Sequence, residues 1–129
     1  MSLTKKLFLA EGTQVPCVNL PAEVDLGDVH PWAASLAAAI ELVAEGKSPA
    51  FIYFAESASE LKFLRDDLKL AYKNKIGFWI AYATNPNLDP ELSRKKLLKR
   101  MKKAGMKTRA EEVIDRNWSG LYFSKNKVK

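Results

Sequence analysis

The chain has almost none of the residues that build common catalytic and metal sites. It contains one cysteine, Cys17, and one histidine, His30. A single cysteine excludes an intrachain disulfide and any multi-cysteine metal centre. One histidine among scattered carboxylates offers no spacing that would hold a transition metal. No apolar run approaches the ~20 residues of a membrane-spanning helix. The opening "MSLTKKLFLAEG" lacks the apolar segment of about 7–15 residues found in a secretory signal. These absences predict a cytoplasmic protein with no membrane association. Glycine-rich phosphate loops are missing too: neither G-x-G-x-x-G nor G-x-x-x-x-G-K-S/T occurs. A nucleotide or S-adenosylmethionine site in an α/β fold needs glycines after the first strand, so that the backbone can approach the cofactor. The stretch in that place, "VNLPAEVDLGD", has one Gly and a Pro. No cofactor is expected.

What is present describes an ordinary globular chain. Its 129 residues are 47% hydrophobic and 28% charged, enough for one self-sufficient core. We expect a single α/β domain over 1–124 and a basic frayed tail over 125–129. The net charge of +6 is unevenly placed. Residues 1–92 hold 8 Lys/Arg against 12 Asp/Glu, a balance of −4. Residues 93–129 hold 13 against 3, a balance of +10. Such asymmetry fits an anionic partner, or simply a solvated face and a loose tail.

Apolar periodicity predicts the elements. "KKLFLA" (5–10) and "QVPCVNL" (14–20) read as strands around a Gly-containing turn, and the breaker-rich 21–30 reads as a loop. A first helix is expected over 31–46, with Pro31 in its first turn and Asp28 or His30 as cap. Trp32, Leu36, Ile40 and Val43 would form its inner face, and Gly46 its stop. "AFIYFA" (50–55) reads as a strand buried on both faces. "SASE" (57–60) is a capping box: Ser57 caps and Glu60 reaches back. The helix it opens ends near Asn74. "IGFWIAY" (76–82) is a second doubly buried strand. A third helix runs from Asp89 and Pro90 to Gly105, and "KTRAEEVID" and "GLYFSK" close the chain as an antiparallel hairpin around "RNWS". The order β-β-α-β-α-β-α-β-β predicts a three-layer fold with a mostly parallel sheet and about three helices.

From "FIYFAESASELKFL" onward the chain resembles a family of small bacterial proteins classed as a domain of unknown function. The resemblance rests on "FAESASEL", "FWIAYAT", the helix after it and above all "DRNWSGLYF" (115–123), which matches a closing Asp-x-x-Trp-Ser-x-Leu-x-Phe. It covers roughly residues 50–124. Ala83-Thr84 departs from the Pro-Lys usual in the family at that point. The resemblance implies a small α/β fold and no assigned activity. The element order is also similar to a truncated, degenerate Rossmann-like methyltransferase, a likeness of topology only.

Two regions are candidate sites. In open α/β sheets, ligands bind at the C-terminal ends of parallel strands. There Asn19, Glu56, Ser57, Thr84 and Asn85 would rim a small pocket, or serve as loop residues and caps. On the third helix Lys95, Lys96, Lys99, Lys102 and Lys103 fall within ~120° of one another, opposite the apolar face. They would form an anion-binding face for an acidic partner or nucleic acid, read through charge alone because no aromatic lies between Tyr82 and Trp118. Cys17 and Trp79 read as core residues, and His30 as a cap or surface residue. The reading is a non-catalytic protein acting in interaction or small-ligand binding. Sequence-independent anion binding and an enzyme with an unrecognised strand-end site are the alternatives.

Overall fold

A computed structural model describes residues 14–22, 24, 30–33, 35–46, 50–84, 93–114 and 116–125. The expected strand at 5–10 and the caps Asp28, Asp89 and Pro90 lie outside them. Six strands form one mixed sheet: β1 (Gln14–Val18), β2 (His30–Ala33), β3 (Phe51–Phe54), β4 (Phe78–Ala83), β5 (Thr108–Val113) and β6 (Trp118–Phe123). Three helices are α1 (Leu36–Ala44), α2 (Ala58–Lys73) and α3 (Arg94–Lys103). The strand order is β2-β1-β3-β4-β6-β5. Pairs β1–β2, β1–β3 and β3–β4 are parallel, whereas β4–β6 and β5–β6 are antiparallel.

The order of strands explains the helix layer. After β1 the chain steps outward to β2 and then returns across β1 to β3, β4 and β5. Right-handed crossovers in one direction put their helices on one face. Accordingly α1 (Leu36, Ala39), α2 (Leu61, Leu68, Ala71) and α3 (Leu97, Met101) share a core with Phe51, Tyr53, Phe78, Ile80 and Phe123. The β1-to-β2 step runs the other way. Its Val24 lies in the opposite core with Cys17, Ile52, Phe54, Trp79 and Trp118. Three layers were expected; the described helices make up one layer on one face.

Alternation along β3 and β4 sends every second side chain into each core, so both strands are buried throughout, apart from the last residue of β4. Phe51 stacks on Phe78 at 5.3 Å and Phe78 on Phe123 at 5.8 Å. Cys17 is 2% exposed, with Sγ 3.4 Å from the Val15 carbonyl oxygen, as expected of a core thiol. A Cβ on Gly120 would meet Trp79 at 3.0 Å and Ile114 at 3.2 Å. Gly120 therefore makes room for an indole inside β6.

Several expectations are corrected. The first helix begins at Leu36, not Pro31, because Ser35 caps it by accepting the Ala38 amide at 3.2 Å. His30–Ala33 instead pairs with Gln14–Cys17 as β2 at the sheet edge. An edge strand tolerates a proline without a donor, and Trp32 sits opposite Pro16 in that ladder, not on a helix face. The described part of α3 is capped by Ser93, which accepts the Lys96 amide. The hairpin loop is not "RNWS". Ile114 N–H bonds the Trp118 carbonyl and β6 starts at Trp118, so Trp118 and Ser119 belong to the strand. Both glycine stops hold: Gly46 and Gly105 have φ of 78° and 87°, a region that suits glycine.

Candidate functional site

The strand order reverses at β1, so the crevice for a ligand would open beyond the C-terminal ends of β1 and β3. Asn19 follows β1 there, with φ of 61°. Ser57 caps α2 by accepting the Glu60 amide at 3.1 Å. Glu60 does not complete the expected capping box. Its carboxylate accepts the Tyr53 hydroxyl at 2.6 Å and the Asn19 amide group instead. Tyr53 lies on the helix-facing side of β3, so its hydroxyl emerges beneath the first turn of α2. Burial first, then the Glu60 carboxylate, push its hydroxyl well above the ordinary tyrosine range.

A second cluster repeats this arrangement at the end of β4. The Tyr82 hydroxyl donates to Glu111 of β5 at 2.8 Å, and Arg94 at the start of α3 pairs with the same oxygen. Burial and this bond push Tyr82 up to about 12. The Arg94 hydrogen bond holds Glu111 below the ordinary carboxylate value, against the opposing effect of burial. Thr84 is engaged as well: its amide donates to the Asn117 carbonyl at 2.8 Å, and its hydroxyl to that of Arg116 at 3.3 Å. It pins the hairpin loop to the end of β4. Of the expected rim, Asn19 and Ser57 come together at α2, Glu56 is exposed beside them, Thr84 serves the hairpin, and Asn85 lies outside the described residues. Among the described residues no group of three His, Cys, Asp or Glu is placed to hold a metal ion.

The second region is a basic groove. Lys62, Arg65 and Lys69 of α2 fall within about 60° on one side of that helix, at 100° per residue. They face Arg100, Lys103 and Ala104 at the end of α3 across a cleft of about 390 Å³. Two further depressions adjoin it around Ala104, Gly105 and Met106. One is lined by Lys69, Lys73, Tyr72 and Lys125, with Asp66 as its acid. The other is lined by Lys102, Lys107 and Leu98. Arg65 and Asp66 approach to 3.9 Å, but both are largely exposed, so the attraction is weak. No described acidic side chain pairs with Lys62, Lys69, Arg100 or Lys103.

Helix dipoles explain part of this charge. Lys73 lies in the last turn of α2, and Arg100, Lys102 and Lys103 in that of α3, where cations are favoured. Lys62 and Arg65 lie in the N-terminal half of α2, where the dipole gives no such gain. They therefore need another reason.

The expected lysine face overlaps this groove in part. All five of its lysines are exposed. Lys103 lines the cleft and Lys102 a neighbouring depression, whereas Lys95, Lys96 and Lys99 line none of the three. The reading of separate segments missed Lys62, Arg65, Lys69 and Arg100. The i, i+3, i+7 spacing of the first three was the available signal. It was hidden because Glu60, Asp66 and Asp67 nearly cancel the charge of α2.

Among the described residues no helix is long and apolar enough to cross a membrane. No protein-family model matches the chain, and neither the curated proteins nor the solved structures contain a match to it.

Proposed function

We propose that this protein binds polyanions, nucleic acid foremost, without reading sequence. One observation carries this: five basic side chains from two helices converge on one cleft, and two of them have no dipole to explain their place. The cleft between the two helices has a volume of about 390 Å³, room for a short stretch of a single phosphodiester strand rather than a whole duplex. Among the described lining residues Tyr72 is the aromatic, and its hydroxyl already accepts the Lys107 amide at 3.3 Å. Bases would therefore be held by charge on their backbone, with little stacking.

The test is fluorescence anisotropy with a labelled single-stranded oligonucleotide of mixed sequence. If the five cations each contact a phosphate, log K should fall against log salt with a slope of about −3.5. Permuting the sequence should change affinity by less than about threefold. An unchanged anisotropy at about 50 mM salt would reject the reading.

Under the same proposal the frame is a methyltransferase-like sheet without the cofactor loop. Its support is the strand-order reversal at β1 and the C-terminal antiparallel hairpin. Kinship with the small bacterial family rests on the closing "DRNWSGLYF", in which Trp118 is buried edge-on against Phe54 at 5.4 Å. This reading is non-catalytic; what supports it is that Tyr53, Asn19, Tyr82 and Thr84 are each engaged with other groups of the chain. Calorimetric binding of S-adenosylmethionine followed by methyl transfer would overturn it.

A further inference from the structure

The cleft contains one group whose state in the free protein is poor. The Arg100 Nε is buried and has no hydrogen-bond partner. A buried donor left unpaired is costly, and more so on a charged group. Arg100 also sits at the end of α3 among like charges, with Lys103 on its own helix and Lys62, Arg65 and Lys69 across the cleft. Nothing described in the protein holds its guanidinium in place by complementary charge.

The geometry points to Arg100 as the phosphate-gripping residue of the cleft. A phosphate group draws the guanidinium out of its unsatisfied position and takes Nε–H and an Nη–H as a two-pronged contact. This deepens the polyanion reading and rests on it for the nucleic acid. The surrounding lysines supply long-range attraction, while Arg100 supplies the oriented bond, since only guanidinium matches a phosphate edge with two parallel donors. The free protein leaves that bond unmade, so binding recovers it. Stability and binding are therefore opposed at this residue: removing Arg100 should help the empty protein and harm the complex.

Three variants, one of them a control outside the cleft, and one signal test this. Arg100→Met keeps the apolar stem and removes the orphaned donor. Its melting temperature without ligand should equal or exceed wild type, while affinity for the single-stranded oligonucleotide falls about tenfold or more. Arg100→Lys keeps the charge but loses the fork. It should bind about as weakly as Arg100→Met, with the salt slope of wild type. Lys95→Gln, a charge loss outside the cleft, should cost about twofold. The Arg100 Nε–Hε resonance, assigned by its loss in the lysine variant, should shift saturably as oligonucleotide is added.

Wild-type affinity in Arg100→Lys, or an Arg100 resonance that stays put at saturation, overturns the assignment and leaves general polyanion binding standing. Inorganic phosphate is the second probe. If the oligonucleotide fails to bind but inorganic phosphate shifts the same resonance saturably, the Arg100 site stands for small phosphates and the nucleic-acid reading falls.

Discussion

The strand ends and the α2–α3 groove are both rich in polar side chains, and they differ in how those groups are satisfied. At the strand ends most of the described hydroxyls and carboxylates have partners: Tyr53 and Asn19 with Glu60, Tyr82 and Arg94 with Glu111, Thr84 with the hairpin loop, while Glu56 stands exposed. In the groove, cations face cations. A closed network of opposite partners gains from its own bonds and serves the fold. A set of like charges gains nothing by standing together, which is the ground of the polyanion proposal.

Four variants sharpen or break this contrast. The largest effect should come from Trp118→Ala. It opens a cavity at the end of β4 where Trp118 is 3% exposed, and stability measured by urea denaturation should drop by about 3–5 kcal/mol. Oligonucleotide binding by the fraction still folded should survive; its loss would show that the two regions are coupled. Next, the triple reversal Lys62→Glu, Arg65→Glu and Lys103→Glu should weaken oligonucleotide binding by about a hundredfold or more at low salt. Its melting temperature should hold or rise, because repulsion in the cleft is relieved. A melting temperature that collapses instead would make the groove a structural feature after all.

Tyr53→Phe is the third and smaller test. It removes one bond to Glu60, which keeps Asn19, so stability should fall by about 1 kcal/mol with binding unchanged. A binding loss there would bring the strand ends back as a ligand site. The mildest expectation concerns pH. The Glu111 carboxyl lies below its ordinary value of 4.5, chiefly through Arg94. A depressed acid contributes stability above the ordinary value and loses it as pH falls through the folded value. Arg94→Gln should therefore lower the melting temperature slightly at neutral pH and leave it little changed well below pH 4.5, which flattens the acid limb of the profile. An unaltered acid limb would show that Glu111 contributes nothing measurable.

Much of the fold was legible because strong local patterns and burial agreed. "FIYF" and "FWIAY" are strands because uninterrupted β-branched and aromatic runs cannot be left in water. Ser57 and Gly105 marked helix ends through caps that act within four residues. His30–Ala33 was misread because Pro31 and the i, i+4 pair Trp32 and Leu36 satisfy a helix pattern equally well. Ser35, a cap inside the presumed helix, and an open ladder beside β1 decided otherwise. Glu60 was assigned to its own helix end because three residues is the local reach, whereas Tyr53 and Asn19 reach it only after β3 and β1 pair. The groove was half legible: the lysines of α3 stand out in composition, while those of α2 are masked by neighbouring acids.

By itself the sequence determined which segments are apolar, where α2 and α3 end, and that Cys17 and Trp79 are buried. These follow from residue chemistry and spacings of a few positions. The strand order, the single helix layer, the satisfaction of the strand-end polar groups and the meeting of Lys62, Arg65 and Lys69 with Arg100 and Lys103 were decided by tertiary structure. The strand-end bonds span from 7 residues (Tyr53–Glu60) to 41 (Asn19–Glu60), the groove joins helices on either side of β4, and the direction of the crossovers brings these segments side by side.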